Sequence, residues 1–263
     1  MSQPVLIERT GVALRVVNNA PKTRNALSPE FYDGLIAALN SAADDPGIAA
    51  VVLTGAGGYF CAGGNLNVLK TRAEMSVDAR MAAIGRLHEV IAAIRACPRP
   101  VIAAIEGGAA GAGASLALAC DLIVAARSAS FSMGYVRVGL TPDGGGTSFL
   151  SEFAPRQLVN EILMLGDRIS CERLFTLGAV NSLAEPGQCE SVALELAERL
   201  FRRGPEALAT IKTLAQSARQ NDLTRQMQAE RVAMANAQGG AEAAEGISAF
   251  LAKRAPDFSR FRA

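Results

Sequence analysis

Asp143 is the carboxylate whose setting most suggests acid–base work. It stands between Pro142 and three consecutive glycines in TPDGGGT, Thr141 to Thr147. Upstream, Gly107 to Gly113 are all Gly or Ala, between an apolar run (Val101 to Ile105) and a helical run ending at Asp121. Small residues let another molecule approach the backbone closely. The first N–H groups of a helix have no internal partner and lie at the positive end of its dipole. Such a segment makes a cradle for a negatively charged oxygen. A cradle with one carboxylate in a Gly-rich turn points to chemistry through an oxyanion or enolate. The competing reading of Asp143 is a plain turn-former, since Asp before Gly is common in turns.

Other chemical readings of these residues are weaker. A dinucleotide-binding turn fails on spacing: Gly111 and Gly113 are followed by Leu116 where the third Gly of GxGxxG belongs, and Asp121 ends the helix itself. The small residues also suit close helix packing without function. Cys61 has no His or Lys near it in sequence to activate it as a nucleophile. His88, the only histidine, sits between Leu87 and Glu89. Five cysteines (Cys61, Cys97, Cys120, Cys171, Cys189) are scattered without a CxxC pair. They read as buried thiols in a reducing compartment, with neither a disulfide framework nor a metal site. With 26 basic and 25 acidic residues, net charge +1, nothing argues for nucleic acid as a partner. Charges such as Glu106 and Asp121 break the Ala-rich stretches, so no membrane span is expected, and the N-terminus carries no secretory pattern. A cytoplasmic protein is the expectation.

The elements that must position these groups follow from periodicity. VLIERTGVALRVV alternates about a central Gly and predicts a hairpin. Ser28 followed by Pro29 predicts a helix start, the helix running to about Ala43. AAVVLTG reads as a buried strand. From about Ser76 to Cys97 an amphipathic helix is expected, with Ile84, Leu87, Val90, Ile91 and Ile94 at helical spacing and Pro98 and Pro100 ending it. DLIVAARSASFSM predicts two short strands, and after Gly146 the chain reads as almost wholly helical. Periodicity alone therefore gives an α/β chain that is helical toward its end.

Four ordered motifs carry a resemblance: PKTRNALS (Pro21 to Ser28), VVLTGAGGYFCAGGNL (Val51 to Leu66), the Gly/Ala cradle with TPDGGGT, and the tail EGISAFLAKRAPDF (Glu245 to Phe258). In their order and spacing the chain resembles the enoyl-CoA hydratase/isomerase (crotonase) family over roughly residues 5 to 258. The resemblance implies an α/β crotonase-like spiral of ββα units, residues 1–200, and a C-terminal helical lobe, residues 201–263, used in trimerisation. It implies a homotrimer or dimer of trimers acting on an acyl-CoA thioester, with no cofactor beyond the coenzyme A of the substrate.

Site residues carry over by position. Two backbone N–H groups, of Gly64 and Ala112, would bind the thioester oxygen; the second position is more usually Gly, and Ala112 keeps its N–H. Backbone around Arg24 and Ala26 would meet the adenine, with Lys22 near the phosphates. Gly63, Asn65 and Leu66 would border the pantetheine arm. Phe250 and Lys253 match tail positions that reach the nucleotide, often from a neighbouring subunit. Lys22, Arg24 and Lys253 also read as ordinary solvated charges. Hydratases of the family carry two glutamates where this chain has Ser115 and Tyr135, so the usual water-adding pair is absent. That leaves Asp143, and in its GAGA cradle, its PD turn and its tail the chain resembles the 1,2-epoxyphenylacetyl-CoA isomerases of the phenylacetate pathway. One carboxylate suffices for an isomerase, because the same group can take a proton and return it. In related haloaryl-CoA dehalogenases a His and an Asp at the positions of His88 and Asp143 work as a pair, but those enzymes also use a Trp, which this chain lacks. A hydratase, a dehalogenase, a thioester hydrolase and a non-catalytic acyl-CoA binder are the alternatives.

Overall fold

A computed structural model of the protein describes residues 3–262. The expected hairpin is β1 (Val5–Thr10) and β2 (Ala13–Asn18), antiparallel, with Gly11 in the turn at φ +58. The Ser28 hydroxyl accepts the Phe31 N–H and starts α1 (Pro29–Asp44), with proline at its first position as expected. Next come β3 (Ala50–Gly55), α2 (Leu66–Thr71) and α3 (Val77–Ala96). Ser76 caps α3, which buries Leu87, Val90, Ile91 and Ile94. Ile84 is exposed, against expectation. Only the C-terminal half of α3 packs into the core; Val77 and Met81 before it are exposed too.

The middle of the chain lays down strands in pairs, one for each of two sheets. β4 (Val101–Ile105) joins the large sheet, β5 (Gly108–Ala110) the small one, and α4 (Ala112–Leu118) follows. β6 (Leu122–Ala126) and β7 (Ser130–Ser132) repeat the step. The large sheet runs β1-β2-β3-β4-β6 and ends in β9 (Ser182–Ala184); the small sheet is β5-β7 with β8 (Arg168–Ser170). Pairing from β2 to β9 is parallel. Every residue of β4 is buried, as the apolar run of a strand covered on both faces requires. This is the crotonase-like α/β spiral that the motifs implied.

After Gly146 come α5 (Gly146–Phe153), α6 (Arg156–Leu165), α7 (Cys171–Thr176), α8 (Cys189–Phe201), α9 (Pro205–Ser217), α10 (Leu223–Gln238) and α11 (Ala241–Leu251). The wholly helical expectation misses β8 and β9. Each is three residues long, too short for a period of two to register. α8 packs on β3, β4 and β6, and Glu106 just after β4 accepts the N–H groups of Gly187 and Cys189 to fix its start. α9 is tied back to the sheets by Lys212, whose ammonium reaches Asp121 at 2.7 Å and donates to the carbonyl of Ile94 at 2.9 Å. The tail is held by Glu245, which accepts two bonds from Arg254 (2.6 and 3.1 Å) and the N–H of Asp257 (2.8 Å). All five cysteines are buried and free. No helix among the described residues is long and apolar enough to cross a membrane.

Candidate active site

The site is assembled from two interlocked loops and a turn. The first loop carries Lys22, Arg24 and Ala26. Arg24 and Asn25 are both left-handed, at φ +51 and +57, a conformation that Asn tolerates better than most residues. Asn25 is fully buried and fixes the loop. Its side-chain amide donates to the carbonyls of Ala56 (2.8 Å) and Tyr59 (2.5 Å), and its side-chain oxygen accepts the Ala20 N–H (2.9 Å). The second loop follows Cys61. The Leu27 N–H donates to Gly63 (2.8 Å) and the Ala62 N–H to Arg24 (2.9 Å), so the two loops form one unit. Lys22 and Arg24 are exposed, the Arg24 guanidinium lying 5.6 Å from the Tyr59 ring centre; Ala26 is buried. Asn65 caps α2 by accepting the Asn67 N–H, and Leu66 stands exposed at the first position of that helix.

The second loop lies against the first turn of α4. Gly63 is at φ +83, and a Cβ there would come within 2.5 Å of the Ala110 oxygen and 3.1 Å of the Ala112 nitrogen. A Cβ on Gly113 would stand 2.5 Å from the Cys61 carbonyl oxygen. Glycine at both places is a demand of this contact. Gly63, Gly64 and Ala112 are thereby brought together. The N–H groups of Gly64 and Ala112 have no acceptor among the described residues. Cys61 accepts the Gly63 N–H on its sulfur, and burial pushes its thiol up to about 12. It is a packing residue, not a thiolate nucleophile.

Asp143 stands over the same helix. Ser115, one turn on from Ala112 and fully buried, donates its hydroxyl to the Asp143 carbonyl at 2.9 Å. The Tyr135 hydroxyl donates to Asp143 Oδ1 at 2.7 Å. Asp143 Oδ2 accepts no hydrogen bond among the described residues. Gly144 and Gly145 follow at φ +61 and +79, which lets the turn fold over α4; a Cβ on Gly144 would press on Leu87 and Ser115 at 3.0 and 3.1 Å. Burial above all, then the negative charge of Asp143, pushes the Tyr135 phenol above its ordinary range, so it remains a donor. The two positions where the resemblance puts glutamates therefore both serve Asp143.

Not every sequence candidate gathers here. His88 is exposed on α3 and makes no hydrogen bond or ion pair to Asp143 among the described residues. Phe250 is 84% exposed and Lys253, at φ +55, is exposed; no hydrogen bond or ion pair among the described residues joins them to the loops of Lys22 and Gly64. Sequence reasoning missed Tyr32. On α1 and half-buried, its phenol is pushed up to about 12, by burial first and then by Cys61 and Asp143. A clue was available, since Tyr32 stands one helical turn beyond Ser28, the last residue of the first motif. The clefts of about 500 Å³ at Arg127 and Phe175 and about 310 Å³ at Cys120 and Arg219 are lined by neither Asp143 nor Gly64.

The family profile described as enoyl-CoA hydratase/isomerase matches residues 9–260. The chain belongs to the enoyl-CoA hydratase/isomerase family. Among its relatives, 1,2-epoxyphenylacetyl-CoA isomerase of Escherichia coli K12 is 36% identical over 92% of each chain. The 2,3-dehydroadipyl-CoA hydratase of the same organism is 32% identical over 97% of this chain and 98% of its own. The crystal structure of an enoyl-CoA hydratase from Polaromonas sp. JS666 superposes with a TM-score of 0.94 at 47% identity, covering 96% of this chain and 98% of that one. The enoyl-CoA hydratase/isomerase assignment thus fixes the enzyme family and its acyl-CoA chemistry, while the relatives carry both isomerase and hydratase names.

Proposed function

We propose that this enzyme is an acyl-CoA isomerase in which Asp143 carries the proton. The observation that bears most weight is that Tyr135 donates to Asp143 Oδ1 and Ser115 to the Asp143 backbone carbonyl, leaving one carboxylate with one open oxygen. In a 3-enoyl thioester, Asp143 Oδ2 takes a proton from the carbon beside the carbonyl. The electron pair moves toward the thioester oxygen, where the N–H groups of Gly64 and Ala112 receive the charge. The same carboxylic acid returns the proton two carbons further along, and the double bond ends conjugated with the carbonyl. No proton is gained or lost overall, and no water is consumed. Each oxyanion donor in such a site contributes about 3–4 kcal/mol to the barrier reduction.

The hydratase names among the relatives favour water addition as the second reading. Against it, water addition needs a second positioned acid or base, and neither a serine nor a phenol replaces a glutamate near neutral pH. Lys22, Arg24 and Ala26 are assigned to the nucleotide end of coenzyme A, and Gly63, Asn65 and Leu66 to the pantetheine arm. Phe250 and Lys253 are assigned to the ligand of a neighbouring subunit in a homotrimer or dimer of trimers built through the lobe of residues 201–263. The exposed Ile247, Phe250 and Leu251 support this assembly. Light scattering at micromolar concentration is expected to give a trimer or hexamer, and a stable monomer rules the assembly out. A panel of 2-enoyl, 3-enoyl and arylacetyl thioesters of coenzyme A tests the reaction: turnover of 3-enoyl thioesters with little hydration of 2-enoyl thioesters is expected.

A further inference from the structure

Tyr135 touches both halves of the site. Its hydroxyl holds Asp143 Oδ1 at 2.7 Å. Its ring lies over Gly111, where an added Cβ would come within 3.7 to 4.0 Å of Cζ, Cε1 and the hydroxyl oxygen. Gly111 immediately precedes Ala112 and has φ +51 and ψ −127, a backbone state suited to glycine. The Gly111 N–H donates to Ser132 at 2.8 Å, and its carbonyl accepts from Ala114 and Ser115. Tyr135 is itself anchored at both ends of its peptide, donating to Met133 at 2.9 Å and accepting from Leu140 at 3.0 Å. One aromatic side chain thus spans from the peptide that aims the Ala112 N–H to the carboxylate.

We infer that Tyr135 is a positioning residue that sets Asp143 Oδ2 relative to the Ala112 N–H, and so directs the proton of the bound thioester to one oxygen. This rests on the reading of Asp143 as proton carrier and deepens it. With Oδ1 occupied by the phenol, the carboxylate cannot rotate freely, and only Oδ2 faces the reacting carbon. Losing such alignment costs up to about a hundredfold in rate even when binding survives. The groups facing the phenol are Asp143 and Ser115, with Tyr32 near the same carboxylate.

Two variants test the inference. Tyr135→Phe keeps the ring over Gly111 and removes the donor. Its kcat for double-bond shift should fall roughly ten- to hundredfold with KM within about threefold. The loss should appear in turnover and not in binding, because the groups that hold the thioester are untouched. Tyr135→Leu removes the ring as well, and KM should then rise in addition. Circular dichroism and melting check the fold of both. A merely structural role would lower melting and raise KM along with any loss of kcat in Tyr135→Phe, and that result overturns the inference. So does a Tyr135→Phe enzyme with wild-type kcat while the wild type isomerises. A wild type that shifts no double bond and exchanges no α-proton with deuterium oxide overturns the isomerase reading, and this inference with it.

Discussion

Lys212 should be among the most costly side chains to remove, though it is far from the reacting groups. Its side chain is 7% exposed and the three donors of its ammonium are used: Asp121 Oδ2 at 2.7 Å, the Ile94 carbonyl at 2.9 Å and the Arg99 carbonyl at 3.4 Å. Asp121 links β4 and β6 at their start, accepting the Val101 N–H at 2.8 Å. In Lys212→Met the stem still packs, but a mostly buried carboxylate keeps only that one N–H. Breaking a buried pair from one side costs about 3–5 kcal/mol. At about 2–4 °C per kcal/mol for a chain of this size, melting should fall by roughly 6–20 °C. Adding Asp121→Asn removes the stranded charge and keeps the acceptor for Val101. The double variant should therefore recover much of the loss, a coupling that a mutant cycle reads directly. Thermal melting of the four proteins at one concentration is the assay. A Lys212→Met melting point within about 2 °C of wild type, or a double variant less stable than the sum of the singles, refutes the reasoning.

Two further outcomes are expected. Gly64→Pro deletes one oxyanion donor and should cut turnover by about two orders of magnitude or more with the fold intact, as circular dichroism and steady-state rates will show; unaltered turnover removes Gly64 from the site. Glu245 is held down at about 2 by the Arg254 guanidinium first and the Asp257 N–H next. A carboxyl lowered on folding stabilises fully above its ordinary value near 4.5 and loses that contribution as pH falls toward 2. Wild type and Glu245→Gln should therefore differ in melting at neutral pH and converge in acid, and a gap that is the same at every pH contradicts the clamp.

What could be read from sequence depended on range. The start of α1 was legible because Ser28 and Pro29 are a local signal, and β4 because five apolar residues in a row need no partner to be recognised. Asp143 was legible from its glycines. Its partners were not: Ser115 and Tyr135 entered the reading only as missing glutamates, and their bonds to Asp143 come from a turn folding over α4. The small residues around Gly113 read as sites of close approach, but which backbone comes close was not legible: Cys61 packs on Gly113, and Ala110 and Ala112 on Gly63. Asp121 read as a charge that interrupts an apolar run, because its partner Lys212 lies in another element far along the chain. Tyr32 was marked only by its place one helical turn after Ser28; packing brings its phenol near Cys61 and Asp143.

The central claim is that Asp143 moves the proton, and Asp143→Asn tests it most directly. Asparagine keeps the size, its side-chain oxygen can still accept from Tyr135 and its backbone carbonyl from Ser115, but it is not a base. Wild type and variant should be given a 3-enoyl thioester in deuterium oxide, with double-bond shift and α-deuteration followed together by NMR, and thioester affinity measured separately. The expected result is a loss of both reactions by about a hundredfold or more with affinity unchanged. An Asn variant that shifts the double bond at the wild-type rate, or a wild type that briskly hydrates 2-enoyl thioesters, contradicts the account.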